Sequence, residues 1–225
     1  MSGSGIEERR AEPVQYLNDV AALARKDLLL ELRAKETVPA MLLFVLSTLT
    51  VFHFALPRGT GHVAALGLLW LALVFTALLG LTRAFVPERE QGLMDALVLA
   101  PCDRSAIWLA KVLAVLAFLV LAELVALPAF AAFFSGIDGR TVGAVALADV
   151  GICAVGTLTG AMAVAGRARE LILPLLFLPL AIPVVVGGIG ASAGAGGRYL
   201  AFLVLYDAVF GLLAWAAFEY VVSET

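Results

Sequence analysis

Six long apolar stretches dominate this sequence and restrict its fold more than any other feature. A helix needs about 20 mostly apolar residues to cross the hydrocarbon core of a bilayer. Hydrophobic residues make up 62% of the chain, and a soluble globule of that composition would expose an apolar surface to water. The sequence therefore predicts an all-α membrane protein with six transmembrane helices. The predicted spans are Pro39–Leu56, Val63–Thr82, Ile107–Phe134, Val142–Ala165, Leu171–Ala193 and Tyr199–Val222.

The lysine and arginine residues outside the apolar stretches are divided unequally between the two sides of the membrane. Twelve belong to the side that holds the N-terminus and three to the opposite side. Cytoplasmic loops carry the excess of positive charge, so we expect the N-terminus in the cytoplasm. Six spans return the C-terminus to the same side. The net charge of −3 argues against nucleic-acid binding.

The segment before the first span has the periodicity of an amphipathic helix. Basic residues and a position next to a span predict an interfacial elbow helix over residues 15–36, with Pro39 permitting a bend into the span. An ordinary cytoplasmic helix packed on a partner is the alternative. Residues 1–14 are predicted to be a flexible cytoplasmic tail, and residues 15–225 one membrane domain. The apolar face of the elbow helix comprises Leu17, Ala21, Ala24, Leu28 and Leu32.

The longest cytoplasmic loop, residues 83–106, contains a second short amphipathic pattern. Pro87 can open a helix, and the acidic residues beside it suit the positive end of the helix dipole. So small a loop cannot bury the apolar stripe by itself. The stripe is explained either by a surface helix or by the cytoplasmic coupling helix of an ABC permease, which docks into a separate ATPase subunit. The candidate coupling residues are Glu88, Arg89, Glu90, Gly92, Leu93, Met94, Leu97 and Pro101.

Three acidic residues, Glu123, Asp149 and Asp207, fall inside predicted spans. Intramembrane carboxyl groups are costly and often functional, and no lysine or arginine lies at their depth. Each must be protonated, hydrogen-bonded to hydroxyls such as those of Tyr206 or Thr157, or open to water. Two interpretations remain: a polar cluster used in gating or partner contact, or three independent neutral acids that bond neighbouring helices.

The fifth span is interrupted by prolines and followed by a glycine-rich stretch over residues 187–197. A broken or re-entrant segment that moves would explain this pattern, because prolines free backbone carbonyls. Close helix packing at small residues explains it equally well. The prolines are Pro174, Pro179 and Pro183.

The chain carries no motif of an enzyme. It lacks the GxxxxGK[ST] loop that binds ATP phosphates, and it lacks the HExxH and GxSxG patterns. We therefore expect a non-catalytic membrane subunit without a metal site.

Lys111 lies near the cytoplasmic end of the third span and is predicted to snorkel out of the membrane. Cys102 and Cys153 are expected to remain unpaired, because the first faces a reducing cytoplasm.

Several segments together resemble one family of exporter-type ABC permeases. The order of an elbow helix, two spans, a coupling segment and four more spans is similar to six-helix permeases of that class. The matching segments resemble the cytochrome c maturation protein B family, and they cover nearly the whole chain after residue 20. They are RKDLLLELRAKE at 25–36, the stretch from GLLWLALVF to the coupling loop at 67–111, GRARELILPLLFLPLAIPV at 166–184 and YDAVFGLLAWAAFEYV at 206–221.

This resemblance implies a role that composition does not show. Two copies of the permease would pair with two ATPase subunits that bind ATP-Mg, together with a haem-handling membrane subunit and a small single-span subunit. The complex would reside in the bacterial inner membrane and use ATP to export haem or release it to a chaperone on the outer face. Haem is cargo in this scheme, and we do not expect His53 and His62 to ligate it, since no motif surrounds them.

Two other functions remain possible from the residues. One is an ABC permease of the same class for another substrate, such as a drug, lipid or glycan. The other is an intramembrane enzyme, against which the missing catalytic motifs argue.

The apolar stripe of the coupling loop yields the first prediction. Replacing Leu97 with glutamate will uncouple the permease from its ATPase without unfolding the membrane domain, because an unpaired charge would be buried at the docking surface. Gln91→Glu, which adds the same charge off the stripe, is the control. The measurement is the ATPase yield in a pull-down with each variant. Wild-type yield from Leu97→Glu would show that the loop does not dock there.

Overall fold

The computed structural model describes residues 13–57, 61–84, 103–134, 136–165, 169–194 and 197–223. These residues form seven helices and no strand: α1 (Pro13–Ala34), α2 (Thr37–Ala55), α3 (His62–Ala84), α4 (Arg104–Phe133), α5 (Gly139–Ala165), α6 (Arg169–Ser192) and α7 (Gly197–Ser223). Helices α2 to α7 are long and apolar enough to cross a membrane. The predicted all-α class and the six spans are therefore confirmed, and the predicted tail lies outside the described residues except for Pro13 and Val14.

Helix α5 lies at the centre of the bundle. It packs against both α6 and α7, while α3 packs against α2, α4 and α6. Helices α3 and α5 are mostly buried, whereas α2 and α7 expose most of their surface. The exposed side chains of the spans are largely apolar, so lipid would cover them at no cost. Large buried side chains fill the interior between the helices, among them Leu69, Phe130 and Phe177.

Aspartate side chains cap the helices α4 and α5. Asp103 accepts a hydrogen bond from the backbone N–H of Ser105 at 2.9 Å. Asp138 accepts bonds from the backbone N–H and the hydroxyl of Thr141 at 2.8 and 2.7 Å. The bonds from Thr141 hold the pKa of the Asp138 carboxyl below its ordinary value. Both carboxylates satisfy N–H groups that the first helical turn leaves unpaired.

The chain bends between α1 and α2 at Lys35. This residue adopts a φ of 55°, a left-handed conformation that ends α1, and α2 begins two residues later at Thr37. The bend therefore precedes Pro39, which lies in the first turn of α2, where its missing N–H disturbs no helical bond.

Helix α1 packs along α4 through a face that differs from the predicted one. Val20 and Ala24 are buried against Ala106 and Ala110 of α4. Of the predicted stripe, Leu17 and Leu32 are exposed. Small alanines on α4 permit close contact along the Val20 side, which leaves part of the predicted stripe facing outward. A location of this helix on the membrane surface remains a prediction.

Helix α6 runs without interruption through its three prolines to Ser192. Its glycines allow neighbouring helices to come close: a Cβ atom at Gly188 would collide with the ring of Trp70, and one at Gly190 with the ring of Tyr199. The indole N–H of Trp70 donates a hydrogen bond to Ser192 at 3.2 Å. The sequence pattern of residues 187–197 indicates either a broken, moving segment or a site of close helix packing. Over residues 187–192 the structure has close helix packing.

The contact between Gly188 and Trp70 yields the second prediction. Gly188→Ala should lower the stability of the folded protein by about 1–3 kcal/mol, because the methyl group has no room beside the indole ring. Gly211→Ala is the matched control, since a Cβ atom there meets no atom within 4 Å. Thermal unfolding midpoints of the purified proteins in detergent measure the difference. Equal midpoints for the two variants would contradict the close packing of α6 against α3.

Candidate functional site

The three intramembrane acids lie at one level of the bundle. We call the side at which α2, α4 and α6 end the outer side, as the charge distribution predicts. Glu123, Asp149 and Asp207 each lie ten residues from the outer end of their helix, at Phe133, Gly139 and Gly197. Ten residues of helix span about 15 Å, so all three lie near the middle of a core about 30 Å thick.

Glu123 of α4 and Asp149 of α5 form a direct pair. Their side chains are 6% and 3% exposed, and the two carboxyl groups lie close enough to hydrogen-bond to each other. Because a bond between two carboxyl groups requires a proton on one of them, the pair carries at most one negative charge when that bond is formed. The second oxygen of Glu123, Oε1, is buried and has no hydrogen-bond partner among the described residues.

Asp207 of α7 packs against α5 at Gly151, because a Cβ atom at Gly151 would collide with Asp207 Oδ1 and with the ring of Tyr206. Gly151 is two residues from Asp149, and side chains two residues apart on a helix do not face the same side. Asp207 Oδ1 is itself buried without a partner in the part of the chain that the structure describes. The structure thus pairs Glu123 with Asp149 and places Asp207 at the same level on the neighbouring helix. We call these three residues the acid cluster.

The hydroxyl groups that the sequence suggested as partners bond elsewhere. The Thr157 hydroxyl donates to the backbone carbonyls of Cys153 and Ala154 in its own helix, at 2.8 and 3.0 Å. The Tyr206 hydroxyl donates to the carbonyl of Leu180 at 2.7 Å, in the proline-rich part of α6. Of the three alternatives for the acids, the structure therefore does not have hydrogen bonds donated by these two hydroxyls, because each hydroxyl donates to a backbone carbonyl instead.

A groove of about 330 Å³ runs between α4 and α5 over the acid pair. Glu123 and Asp149 line it, and apolar side chains form the rest of its walls. Its rim is open to the outside of the bundle, since Leu124 and Val142 are 67% and 48% exposed. The apolar lining residues are Val120, Leu124, Leu127, Pro128, Val142, Val145 and Ala146.

The acid cluster can accept hydrogen bonds or bind a cationic side chain, and it can hold a proton between two carboxyl groups. Among the described residues no three His, Cys, Asp or Glu side chains are arranged to hold a metal ion. The Cys153 thiol is buried and free. The prediction that Cys102 and Cys153 remain unpaired stays a prediction, because Cys102 lies outside the described residues. The His53 ring lies 5.1 and 5.8 Å from the rings of Phe133 and Phe134, within an aromatic group at the outer end.

Lys111 is buried, and its predicted snorkelling is wrong. Its ammonium group lies 3.1 Å from Asp27 of α1 and donates a hydrogen bond to the carbonyl of Ala84, the last residue of α3, at 2.9 Å. Asp27 also pairs with Lys26 at 2.9 Å. Helix α1 covers this end of α4 and supplies a carboxylate, so the lysine has an internal partner and does not need to reach water.

Both flanks of the coupling loop contact helix α1 or its partners. Lys111 links Asp27 of α1 to Ala84, which precedes the loop, and the Ser105 hydroxyl, which follows it, donates to the Tyr16 hydroxyl of α1 at 3.2 Å. An exposed ion pair of 3.1 Å joins Glu36 to Arg83. The candidate coupling residues themselves lie outside the described residues.

Comparison with known proteins identifies the family. The chain matches the model of the CcmB protein family over residues 18–220. This chain is a member of the CcmB protein family. It is 30% identical over 213 residues to heme exporter protein B of Bradyrhizobium diazoefficiens, covering 88% of this chain and 96% of that protein. It is 32% identical over 175 residues to heme exporter protein B of Pseudomonas aeruginosa, covering 75% of this chain and 78% of that protein.

The matched region of this CcmB family member includes the acid cluster and most of α1.

The sequence alone did not reveal the pairing of Lys111 with Asp27. A usable signal was present: Lys111 lies seven residues inside α4, beyond Arg104, and an amphipathic helix with an acidic residue precedes the first span. A lysine two turns inside a span needs a carboxylate when another helix covers it.

The buried pair of Lys111 and Asp27 yields the third prediction. Lys111→Met should destabilise the protein by about 3 kcal/mol, because Asp27 then keeps only Lys26. Arg83→Met is the matched control and should cost less than about 1 kcal/mol, because its pair with Glu36 is exposed.

Unfolding of the purified proteins in detergent measures both effects. Adding Asp27→Leu to Lys111→Met should recover part of the loss, since neither charge then remains buried alone. Equal losses for Lys111→Met and Arg83→Met would contradict a structural role for the buried pair.

Proposed function

We propose that this chain is the permease subunit of an ABC-type haem exporter used in cytochrome c maturation. It would reside in the bacterial inner membrane with both termini in the cytoplasm. A partner ATPase subunit binds ATP-Mg and hydrolyses it, and the permease itself is not an enzyme. Two permease copies pair with two ATPase subunits, a haem-handling membrane subunit and a small single-span subunit. The cycle exports haem or releases it to a chaperone on the outer face.

The family match carries this proposal. It extends over residues 18–220 and so includes α2 to α6 and most of α7. Both of the similar proteins, from Bradyrhizobium diazoefficiens and Pseudomonas aeruginosa, are heme exporters, which favours haem over a drug, lipid or glycan as cargo. Haem is the cargo of the complex in this proposal and not a resident cofactor of this chain.

The contacts around Lys111 support a mechanical role for residues 83–106. The loop is anchored to α1 on both sides, through Ala84 and through Ser105. A force on the loop from a docked ATPase would therefore act on α1, α3 and α4 together. In this proposal the docking contacts come from Glu88, Arg89, Glu90, Gly92, Leu93, Met94, Leu97 and Pro101.

The acid cluster is the proposed functional centre within the membrane. Three carboxyl groups near the middle of a bilayer would be an expensive way to join helices, because apolar packing of the same volume does so without desolvation. The close pairing of Glu123 with Asp149, and the opening of this pair to a groove, support a role beyond packing.

Complementation tests the function and the acid cluster together, and it is the fourth prediction. A strain lacking its own heme exporter protein B, supplied with this chain, should recover c-type cytochromes. Glu123→Gln and Glu123→Leu should assemble normally and reduce cytochrome production at least tenfold, because neither side chain can ionise. Thr157→Val is the matched control, since it removes a buried hydroxyl that bonds only to its own helix. Haem staining of membrane proteins measures the yield.

The two parts of this proposal fail separately. Absence of c-type cytochromes with the wild-type chain, although it is inserted and bound to the ATPase, would contradict the haem-export function. Full production by Glu123→Leu would leave that function intact and reduce Glu123 to an inert buried acid.

A further inference from the structure

The groove between α4 and α5 contains a carboxyl oxygen without a hydrogen-bond partner among the described residues, and a backbone carbonyl without its usual helical donor. Glu123 is 6% exposed, lines the groove, and keeps its Oε1 atom without a partner within the described ranges. Pro128 lies inside α4 and has no N–H, so the carbonyl of Leu124 loses its usual helical donor. Leu124 and Pro128 also line the groove. One wall of the groove therefore holds both acceptors.

Lipid cannot satisfy these acceptors. An acyl chain offers no donor, and a buried polar group without a hydrogen bond is destabilising. The Glu123–Asp149 pair also holds a single negative charge when it shares one proton. A cation with several N–H donors is complementary to this combination of charge and acceptors.

A second copy of this chain cannot supply that cation. The basic residues of its spanning helices, histidines included, lie towards the helix ends: His53, His62, Arg83, Arg104, Lys111, Arg140, Arg169 and Arg198. Arg140 and Arg198 come nearest, and each is nine residues, or about 13.5 Å, from the acid on its own helix. Lys111 is twelve residues from Glu123 and is already paired with Asp27.

We propose that the groove between α4 and α5 receives a transmembrane helix of a different membrane subunit, and that this helix presents a lysine, arginine or histidine to Glu123 and Asp149. The basic residue would lie near the middle of the membrane. Its apolar neighbours would cover Leu124 and Val142, whose exposure leaves them to lipid in the single chain. Intramembrane charges of opposite sign commonly pair between helices in this way.

Photocrosslinking in the intact complex tests this proposal and is the fifth prediction. Benzoylphenylalanine replaces Leu124 or Val142 at the groove rim, or Leu212 on α7 as a control that is equally exposed and away from the groove. The complete set of subunits is expressed in bacterial membranes. Both rim positions should crosslink one helix of another subunit, and sequencing of the crosslinked peptide should find a basic residue in the middle of that helix. The control should not crosslink it.

Two kinds of variant separate charge pairing from simple contact. Glu123→Gln with Asp149→Asn should lower the crosslink yield at least tenfold. Ala146→Phe should do the same by filling the groove, and it leaves the acids intact if the neutral variant fails to fold. Exchanging the charges, with Glu123→Lys in this chain and glutamate at the basic position of the partner, should restore at least half of the yield.

Several results would overturn the proposal. These are crosslinks to lipid only, crosslinks to a second copy of this chain, a partner helix without a basic residue, or a yield unchanged by neutralising both acids. The inference rests on the proposed role of the acid cluster but not on the identity of the cargo. If the crosslink forms but the strain does not recover c-type cytochromes, the proposed haem-export function is wrong and the proposed helix docking still holds.

Discussion

The hydrocarbon interior of a membrane offers no hydrogen-bond partners, and this constraint governs the whole structure. Every backbone group in a span must be satisfied within the protein, which limits the spans to helices. The same constraint acts on side chains. The Tyr206 hydroxyl bonds to a backbone carbonyl, Trp70 bonds to Ser192, and Lys111 pairs with Asp27. Among the described residues, three buried side-chain atoms have no hydrogen-bond partner: Glu123 Oε1, Asp207 Oδ1 and Trp108 Nε1.

The structure places its two charged centres at different depths, and they have different partners. At the inner end, Lys111 joins α1, α3 and α4 by contacts within one chain. Near the membrane centre, Glu123 and Asp149 pair α4 with α5, and the acid cluster keeps acceptors without donors among the described residues. In the proposed function, the first centre transmits force from residues 83–106 and the second responds to a neighbouring subunit. Helix α4 belongs to both centres.

The sequence predicted the number of spans and that the three acids lie inside them, because apolar length is a property of a single segment. It did not predict which acids touch. Contact between Glu123 and Asp149 depends on how α4 and α5 are rotated about their axes, and uniformly apolar spans contain little periodicity to reveal that rotation. The error over Lys111 has the same origin. Its partner Asp27 lies eighty-four residues earlier, on α1. The sequence pattern predicted the packed face of α1 about one residue away from the face that contacts α4.

The common level of the three acids limits how the bundle can move. Sliding α5 along α4 by one helical turn, about 5.4 Å, would separate Glu123 from Asp149. Tilting the helices about a horizontal axis through the cluster would leave the same contact in place. Of these two motions, only the tilt preserves the contact between Glu123 and Asp149: the pair would then serve as its fulcrum, with the inner ends of α4 and α5 spreading while their outer ends close.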